Sequence, residues 1–449
     1  MKSTNPRSLV LFNYDWDQSG FARWAHEFPV DSAGFDLFSF PSNAHLVNFD
    51  LNRFVERLAT QAKRRGWQAV TSNHEQFGAL AAALLAERMG WPGTAVDAVL
   101  ACQHKHYARQ VLQQVAPEAN TGFELLSSQY GEPVPHDIDY PVFVKPVKAA
   151  FSVLARAVHN REELAALVRF SAWELWVIRR LVEPFERIVH ARLPQAGSAH
   201  RMLLEQPANA LQYNLDGYFF NGELRELGVV ESVMYPGTQA FLRFGYPCAL
   251  PATGRARALD VARRFLTAVG FTHGLFNLEF FYDAAQDRLT VIEFNPRMAS
   301  QFSDLYLRVD GIDLHRVALE LAHGRDPALV PRAIPTAGVA ASFVYRSFDP
   351  AARPAMPSTK QKHTLAREFP SAMLFCFAKS GGQIERDFKW LGSYRYGILH
   401  LDGRDADDLR ARCEAASGLI GWPAPCARTE LHRGCAVQTI PTFSMETSR

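Results

Sequence analysis

The segment GLFNLEFFYDAAQDRLTVIEFNPR, residues 274–297, constrains the fold of this chain more than any other part. Two runs rich in aromatic and β-branched residues flank the polar stretch DAAQDR, which is the pattern of a β-hairpin. If the turn is centred on the glutamine of that stretch, Glu279 faces Glu293 and Asn277 faces Asn295. Side chains alternate across a strand, so these four would share one face, with opposed Cβ atoms about 5 Å apart.

Two facing carboxylates favour a cation between them. At that separation Glu279 and Glu293 would repel each other, and each would resist ionisation without a positive charge nearby. Mg²⁺ prefers carboxylate and phosphate oxygens at about 2.1 Å, so this face suits a metal–nucleotide complex. The alternative is that both carboxylates lie on the solvent face of an edge hairpin, because polar alternation is ordinary in antiparallel strands.

A lysine at the end of a strand offers a phosphate contact. Lys145 ends the apolar run PVFVK and is followed by Pro146. Strand ends are where α/β folds bind their ligands, although a solvated lysine before a proline turn explains the same pattern. The chain contains neither a GxxxxGK[ST] nor a GxGxxG motif, so nucleotide binding would need another architecture.

Charge and cysteine content narrow the class of protein. Lys plus Arg number 48 and Asp plus Glu 46, a net charge of +2 that gives no drive towards nucleic acid or a membrane surface. The six cysteines form no CxxC pair, which indicates a reducing compartment rather than a disulfide framework. No window approaches 18 uninterrupted apolar residues. We therefore expect a cytoplasmic protein with no nucleic-acid or membrane partner.

The first hundred residues alternate strand-like and helical patterns. A helix is expected over about residues 49–65, and an apolar stripe from Glu75 predicts another that ends at Gly90. This alternation predicts a small parallel α/β domain. Three apolar runs predict its strands: SLVLF (8–12), FDLFSF (35–40) and QAVTS (68–72).

The remaining chain reads as further strands, a loop and a tail. The run from Glu231 to Pro251, rich in aromatics, Gly and Pro, predicts a loop, either for substrate recognition or as a plain connection. Residues after Trp422 lack periodicity and predict a loosely held tail. Strands are expected in YPVFVKPV (140–147), RMLLEQP (201–207), QYNLDGYFF (212–220), ELRELGVVESV (223–233), GVAASFVYR (338–346) and YGILHLDG (396–403).

The order of motifs over about residues 70–330 resembles the ATP-grasp superfamily, and more loosely its carboxylate–amine ligase and biotin-carboxylase-like branch. The resemblance lies in HKHYAR, VFVKP, LLEQPANALQYNLDG, NLEF and EFNPR, in that order. It implies an α/β (α+β) ATP-grasp fold in four parts. These are an N-terminal pre-ATP-grasp α/β domain (1–101), a nucleotide-binding domain (102–330), a lid-like C-terminal α+β domain (331–425) and a tail (426–449).

The same resemblance implies roles for individual residues. Arg297 and Lys145 would be catalytic, with Arg297 at the γ-phosphate or an acyl phosphate. Glu279, Glu293 and Asn295 would bind Mg²⁺, with Mn²⁺ as an alternative ion. The residues implied for ATP binding are Lys105, Lys145, Lys148, Glu205, Gln206, Ala208, Gln212, Glu279 and Glu293.

The activity implied is an ADP-forming ligase that joins small-molecule carboxylate and amine substrates, in a chain that can form a homodimer. One alternative is carboxylation of bicarbonate, although EFNPR continues as MASQF, unlike the biotin carboxylases. Another is ATP binding without turnover, because residues 145–155, KPVKAAFSVLA, contain no glycine to cradle phosphate. Lys148 or Ser152 would then take over the phosphate contact.

Overall fold

The computed structural model describes residues 5–37, 42–128, 132–149 and 154–426. The predicted tail (426–449) therefore lies outside the described residues apart from Cys426, and of the residues after Trp422 only 423–426 are described. The strands are β1 (Arg7–Leu11), β2 (Val30–Ala33), β3 (Trp67–Thr71), β4 (Phe123–Leu125), β5 (Val142–Pro146), β6 (Arg156–Val158), β7 (Met202–Glu205), β8 (Leu211–Phe220), β9 (Glu223–Met234), β10 (Phe241–Tyr246), β11 (Gly274–Asp283), β12 (Arg288–Asn295), β13 (Val339–Ser347), β14 (Met373–Cys376) and β15 (Tyr394–Gly403).

The α-helices are α1 (Asp15–Ala22), α2 (Leu51–Arg65), α3 (Gly78–Met89), α4 (Val96–Gln103), α5 (Lys105–Val115), α6 (Arg161–Leu167), α7 (Ala172–Arg192), α8 (Ala252–Ala268), α9 (Ser303–Asp310), α10 (Leu314–Ala322), α11 (Thr359–Glu368), α12 (Gly381–Leu391) and α13 (Ala406–Ile420). The predicted helix over 49–65 is confirmed as α2. The predicted stop at Gly90 is also confirmed, because Gly90 caps α3 in the left-handed conformation that glycine adopts without strain.

A three-stranded parallel sheet in the order β2-β1-β3 forms the N-terminal part. SLVLF and QAVTS form strands as predicted, but FDLFSF does not over its described residues 35–37. The second strand comes earlier, at Val30–Ala33. Phe35 instead packs its ring on Phe12 and Phe49, so its apolar character serves an aromatic cluster.

The largest sheet is antiparallel and has eight strands in the order β12-β11-β8-β9-β10-β13-β15-β14. The expectation of a loop from Glu231 to Pro251 is wrong in part, because β10 lies inside it and pairs with β9 and β13. The side chains of Leu242, Phe244 and Tyr246 are buried. The burial of these three apolar side chains favours a strand over a loop at this position.

The eight-stranded sheet crosses the expected domain boundary at residue 330, because β13, β14 and β15 add to β8–β12. The four-part division thus stays a prediction. A separate four-stranded sheet has the order β4-β7-β5-β6. Helices α5 and α8 cover one face near β11 and β12, and α11 and α13 cover it near β15. The polar side chains described below lie on the other face.

Among the described residues, the helices are too short or too polar to span a lipid bilayer.

Candidate active site

The β11–β12 hairpin places two glutamates and two asparagines on one face. Asn277 pairs with Asn295 and Glu279 with Glu293, as predicted. After Glu279 the register shifts by one residue, and Phe280 faces Val291. Ile292 is therefore the extra residue of a β-bulge, which the alternating pattern does not predict.

The bulge frees the Ile292 carbonyl from the strand ladder. This carbonyl accepts hydrogen bonds from Lys145 Nζ at 3.1 Å and from Arg109 Nη2 at 3.3 Å. Both cations also contact Glu205, whose oxygens lie 2.7 Å from Arg109 Nε and 2.9 Å from Lys145 Nζ. The bulge and Glu205 together fix a buried pair of positive charges beside the hairpin.

The two facing carboxylates have opposite electrostatic surroundings. Burial raises the pKa of Glu279, and the neighbouring charge of Glu293 adds to this. For Glu293, burial is outweighed by Lys105, Lys145 and Arg297, so its pKa lies below its usual range. Lys105 Nζ is 3.0 Å from Glu293. Among the described residues, Glu279 makes no ion pair like the one between Glu293 and Lys105.

Neutral amides donate the hydrogen bonds that the Glu279 carboxylate accepts. Asn295 Nδ2 and Gln212 Nε2 each donate a hydrogen bond of 3.2 Å to its carboxylate. No group of three or more His, Cys, Asp or Glu side chains suited to a metal occurs among the described residues. A divalent cation here would therefore take Glu279, Glu293 and an amide oxygen from the protein. Phosphate oxygens would complete the set, a combination that Mg²⁺ favours over an all-protein cage.

A buried aspartate on β8 lies beside Asn277 on the same face. Asp216 accepts hydrogen bonds from Asn277 Nδ2 at 3.3 Å and from Tyr306 Oη at 2.9 Å. Burial raises the pKa of Asp216 to about 7. Asn277 in turn accepts a hydrogen bond from Asn295 at 3.2 Å, so the chain of contacts from Asp216 orients Asn295.

The predicted adenine contacts follow β7. The carboxylate of Glu205 is bound by Lys145 and Arg109, and the backbone N–H of Gln206 donates to the Gly122 carbonyl at 3.0 Å. Ala208 is half-buried just beyond. The assignment of Glu205, Gln206 and Ala208 to the adenine ring stays a prediction.

Lys148 is buried beside Glu75. Its Nζ donates to the Glu75 carbonyl at 3.2 Å and lies 4.8 Å from the centre of the Phe185 ring. Burial lowers the pKa of Lys148 to about 7. The following residues 150–153, including Ser152, lie outside the described part of the chain.

The structure pairs Arg297 with a residue that sequence reasoning missed. Glu75, which comes four residues after β3, accepts a 2.6 Å hydrogen bond from Arg297 Nε. Glu75 is buried, and the nearby Tyr14 phenol is within electrostatic reach of Arg297. The sequence feature that could have identified Glu75 is its position beyond the carboxyl end of a predicted parallel strand. Parallel sheets bind their ligands at this end of their strands.

Replacing Lys145 by alanine is expected to weaken ATP binding by roughly ten- to hundredfold, the loss of one charge-assisted contact. Nucleotide titration of Lys145→Ala measures this, with the exposed Lys63→Ala as the control. Burial lowers the pKa of Lys145 to about 8, so wild-type affinity should also weaken as the pH rises above 8. Unchanged affinity in Lys145→Ala would mean that this lysine serves the structure alone.

Comparisons with known proteins give partial matches in sequence and a full-length match in fold. No protein-family model matches the chain. It is 29% identical to carnosine synthase 1 of Gallus gallus over 266 residues, covering 56% of this chain and 27% of that protein. It is 30% identical to the D-alanine–D-alanine ligase of Synechococcus sp. (strain CC9605) over 164 residues, covering 36% of this chain and 41% of that protein. The chain thus spans less than half the length of either curated relative.

A solved structure matches almost from end to end. The L-amino acid ligase from Bacillus licheniformis has a TM-score of 0.64 and 14% identity, and the match covers 93% of this chain and 98% of that one. At this identity the likeness shows a shared fold.

Proposed function

Because the chain has the ATP-grasp fold, as its motifs led us to expect, we propose that it is an ATP-dependent, ADP-forming ligase. It would activate a carboxylate as an acyl phosphate and join it to an amine. The carboxylate and the amine would be small-molecule substrates, and the reaction would use ATP with Mg²⁺. A cytoplasmic location and a homodimer belong to this proposal too.

One observation carries the proposal: the Glu279–Glu293 pair lies among buried and partly buried cations from three separate parts of the chain. Lys105 contacts Glu293 directly, and Lys145 and Lys148 also stabilise its charge. Arg297 is within electrostatic reach of Glu279. Phosphoryl transfer needs positioning and charge neutralisation more than covalent help from the protein, and this site offers both.

Each part of the site would have its own task. The lysines would hold the phosphates of ATP, and Mg²⁺ between the glutamates would neutralise the phosphate charge and fix its geometry. Arg297, held by Glu75, would face the transferred phosphoryl group, where negative charge develops. The substrate carboxylate oxygen attacks the γ-phosphorus and ADP leaves. The amine nitrogen then attacks the acyl carbon, and inorganic phosphate leaves.

An isotope experiment tests this order of events. The protein is incubated with MgATP, an amine and a carboxylate labelled with ¹⁸O, the pair being found by screening amino acids in pairs for phosphate release. Because the carboxylate oxygen bonds to phosphorus, one labelled oxygen should appear in the released phosphate by mass spectrometry. Formation of AMP and pyrophosphate, with unlabelled phosphate, would instead demonstrate adenylation.

The same assay separates the two alternatives. ADP release that requires bicarbonate and no amine would indicate a carboxylase. Nucleotide binding with no turnover for any substrate pair would indicate an ATP-binding protein without activity, the hypothesis raised by the glycine-free stretch after Lys145.

A further inference from the structure

Two arginines face each other on neighbouring strands of the large sheet. Arg346 on β13 and Arg395 on β15 are direct cross-strand partners. Like charges in this position destabilise an antiparallel pair. Two guanidinium groups side by side also present a planar set of N–H donors that matches a carboxylate or a phosphate.

The protein itself does little to neutralise this pair. Arg346 donates to Ser393 Oγ at 2.9 Å, but its buried Nε has no hydrogen-bond partner. Among the described residues, the Arg395 guanidinium makes no hydrogen bond or ion pair, and it lies 4.6 Å from the centre of the Phe377 ring. Asp387 is within electrostatic reach of both arginines, yet its carboxylate is bound by Lys379. The pair thus retains uncompensated charge and free donor capacity.

Strand register places the pair on the same sheet face as the hairpin glutamates. Arg346 alternates with Val344 and Ser342 along β13, and register pairs link Ser342 through Phe244 to Ser232 on β9. Ser232 pairs in turn with Gln212, which donates its hydrogen bond to Glu279. All these residues face the same side, because directly paired side chains project from the same face of a sheet.

Aromatic residues connect the two ends of this face. The Tyr14 phenol is within electrostatic reach of both Arg297 and Arg395. The ring of Trp16 lies 5.4 Å from that of Tyr14 and 5.6 Å from that of Phe375. Arg297 and the arginine pair therefore flank one aromatic-walled region.

Both arginines are set deep in the protein and still reach solvent. Burial lowers the pKa of Arg346 to about 10 and also lowers that of Arg395, while both side chains stay partly accessible.

We propose that Arg346 and Arg395 together bind an anionic group of the substrate, a carboxylate or a phosphate, other than the group that ATP activates. The inference rests on the proposed ligase function and adds to it the class of substrate, one that carries a second anion. Such an anion would lie between the guanidinium groups, accept hydrogen bonds from both, and relieve their mutual repulsion.

Matched substrates test this in turnover. Comparing aspartate with asparagine tests for recognition of a second carboxylate, and comparing O-phosphoserine with serine tests for recognition of a phosphate. Each substrate is assayed with a panel of second amino-acid substrates, and ADP release is measured. We expect Arg395→Gln to lower the ratio of kcat/KM for the anionic member to that for its neutral counterpart by about 10- to 100-fold. Arg386→Gln, on an exposed residue of α12, should leave the ratio unchanged. If Arg395→Gln keeps the wild-type ratio of kcat/KM values for both pairs of substrates, the inference is overturned.

Direct binding and melting separate this inference from the ligase proposal. Calorimetric titration with succinate and with inorganic phosphate should show binding to wild type that weakens in Arg395→Gln, with Arg395→Lys intermediate. Without ligand, Arg395→Gln should melt at a higher temperature than wild type, because a repulsive pair is removed. Suppose that wild type turns over, that Arg395→Gln binds succinate and phosphate as tightly as wild type does, and that Arg395→Gln melts at a lower temperature. The arginine pair would then have a structural role, and the ligase proposal would be unaffected. If wild type shows no turnover but binds succinate or phosphate, and Arg395→Gln loses this binding, the ligase proposal would be overturned and the anion site would be supported.

Discussion

Glu293→Gln is expected to lower ADP formation by about a thousandfold or more. The substitution keeps the shape of the side chain but removes the charge that would hold Mg²⁺ beside the phosphates, and such an ion contributes several kcal/mol at the transition state. Glu293 is the ionised member of the facing pair, since three cations surround it. Steady-state ADP release at saturating MgATP measures the effect.

Two comparisons keep this result interpretable. Glu124→Gln, on an exposed residue of β4, should retain wild-type turnover. Because Glu293 also pairs with Lys105, thermal melting must show that Glu293→Gln is folded at the assay temperature. Wild-type turnover in a folded Glu293→Gln protein would remove Glu293 from the metal site.

The second large effect concerns Arg297. We expect Arg297→Ala to lower kcat by about 10²- to 10³-fold while ATP affinity changes far less. Its charge is needed most where negative charge develops during phosphoryl transfer, and interactions stronger in the transition state than in the ground state act on kcat. Single-turnover ADP formation and nucleotide titration measure the two quantities separately.

A matched arginine on the same hairpin is available as the control. Arg288, at the exposed start of β12, should tolerate alanine without loss of kcat. Arg297→Ala also leaves the buried Glu75 without its cation, so Arg297→Lys serves as the variant that keeps a charge there. Equal losses of ATP affinity and kcat in Arg297→Ala would show that Arg297 binds the ground state and has no special role in transfer.

The hairpin could be predicted from sequence because its information is local. A polar turn between two alternating strands fixes which side chains face each other, and the facing of Glu279 and Glu293 follows from that count. The bulge at Ile292 could not be predicted in the same way. Its carbonyl bonds to Lys145 and Arg109, which lie about 150 or more residues away along the chain.

Long-range pairing also explains the other differences. Glu75 and Arg297 are 222 residues apart in sequence and meet only in the folded chain. Arg346 and Arg395 become partners through a strand register that neither local pattern specifies. The strand expected at residues 35–40 does not form over its described residues 35–37, because the Phe35 ring joins an aromatic cluster and cluster packing outweighs local strand propensity there.

The continuity of the eight-stranded sheet limits how this protein can be divided. A chain cut after residue 330 would keep β8–β12 but lose β13, the hydrogen-bonded neighbour of β10. The unpaired N–H and C=O groups of β10 would then be open to other chains, and such an edge is a site of aggregation. Residues 331–426 are therefore not a module that can be exchanged on its own. Chimeras with proteins of the same fold should place their junctions in surface connections, so that β9, β10 and β13 all come from one parent protein.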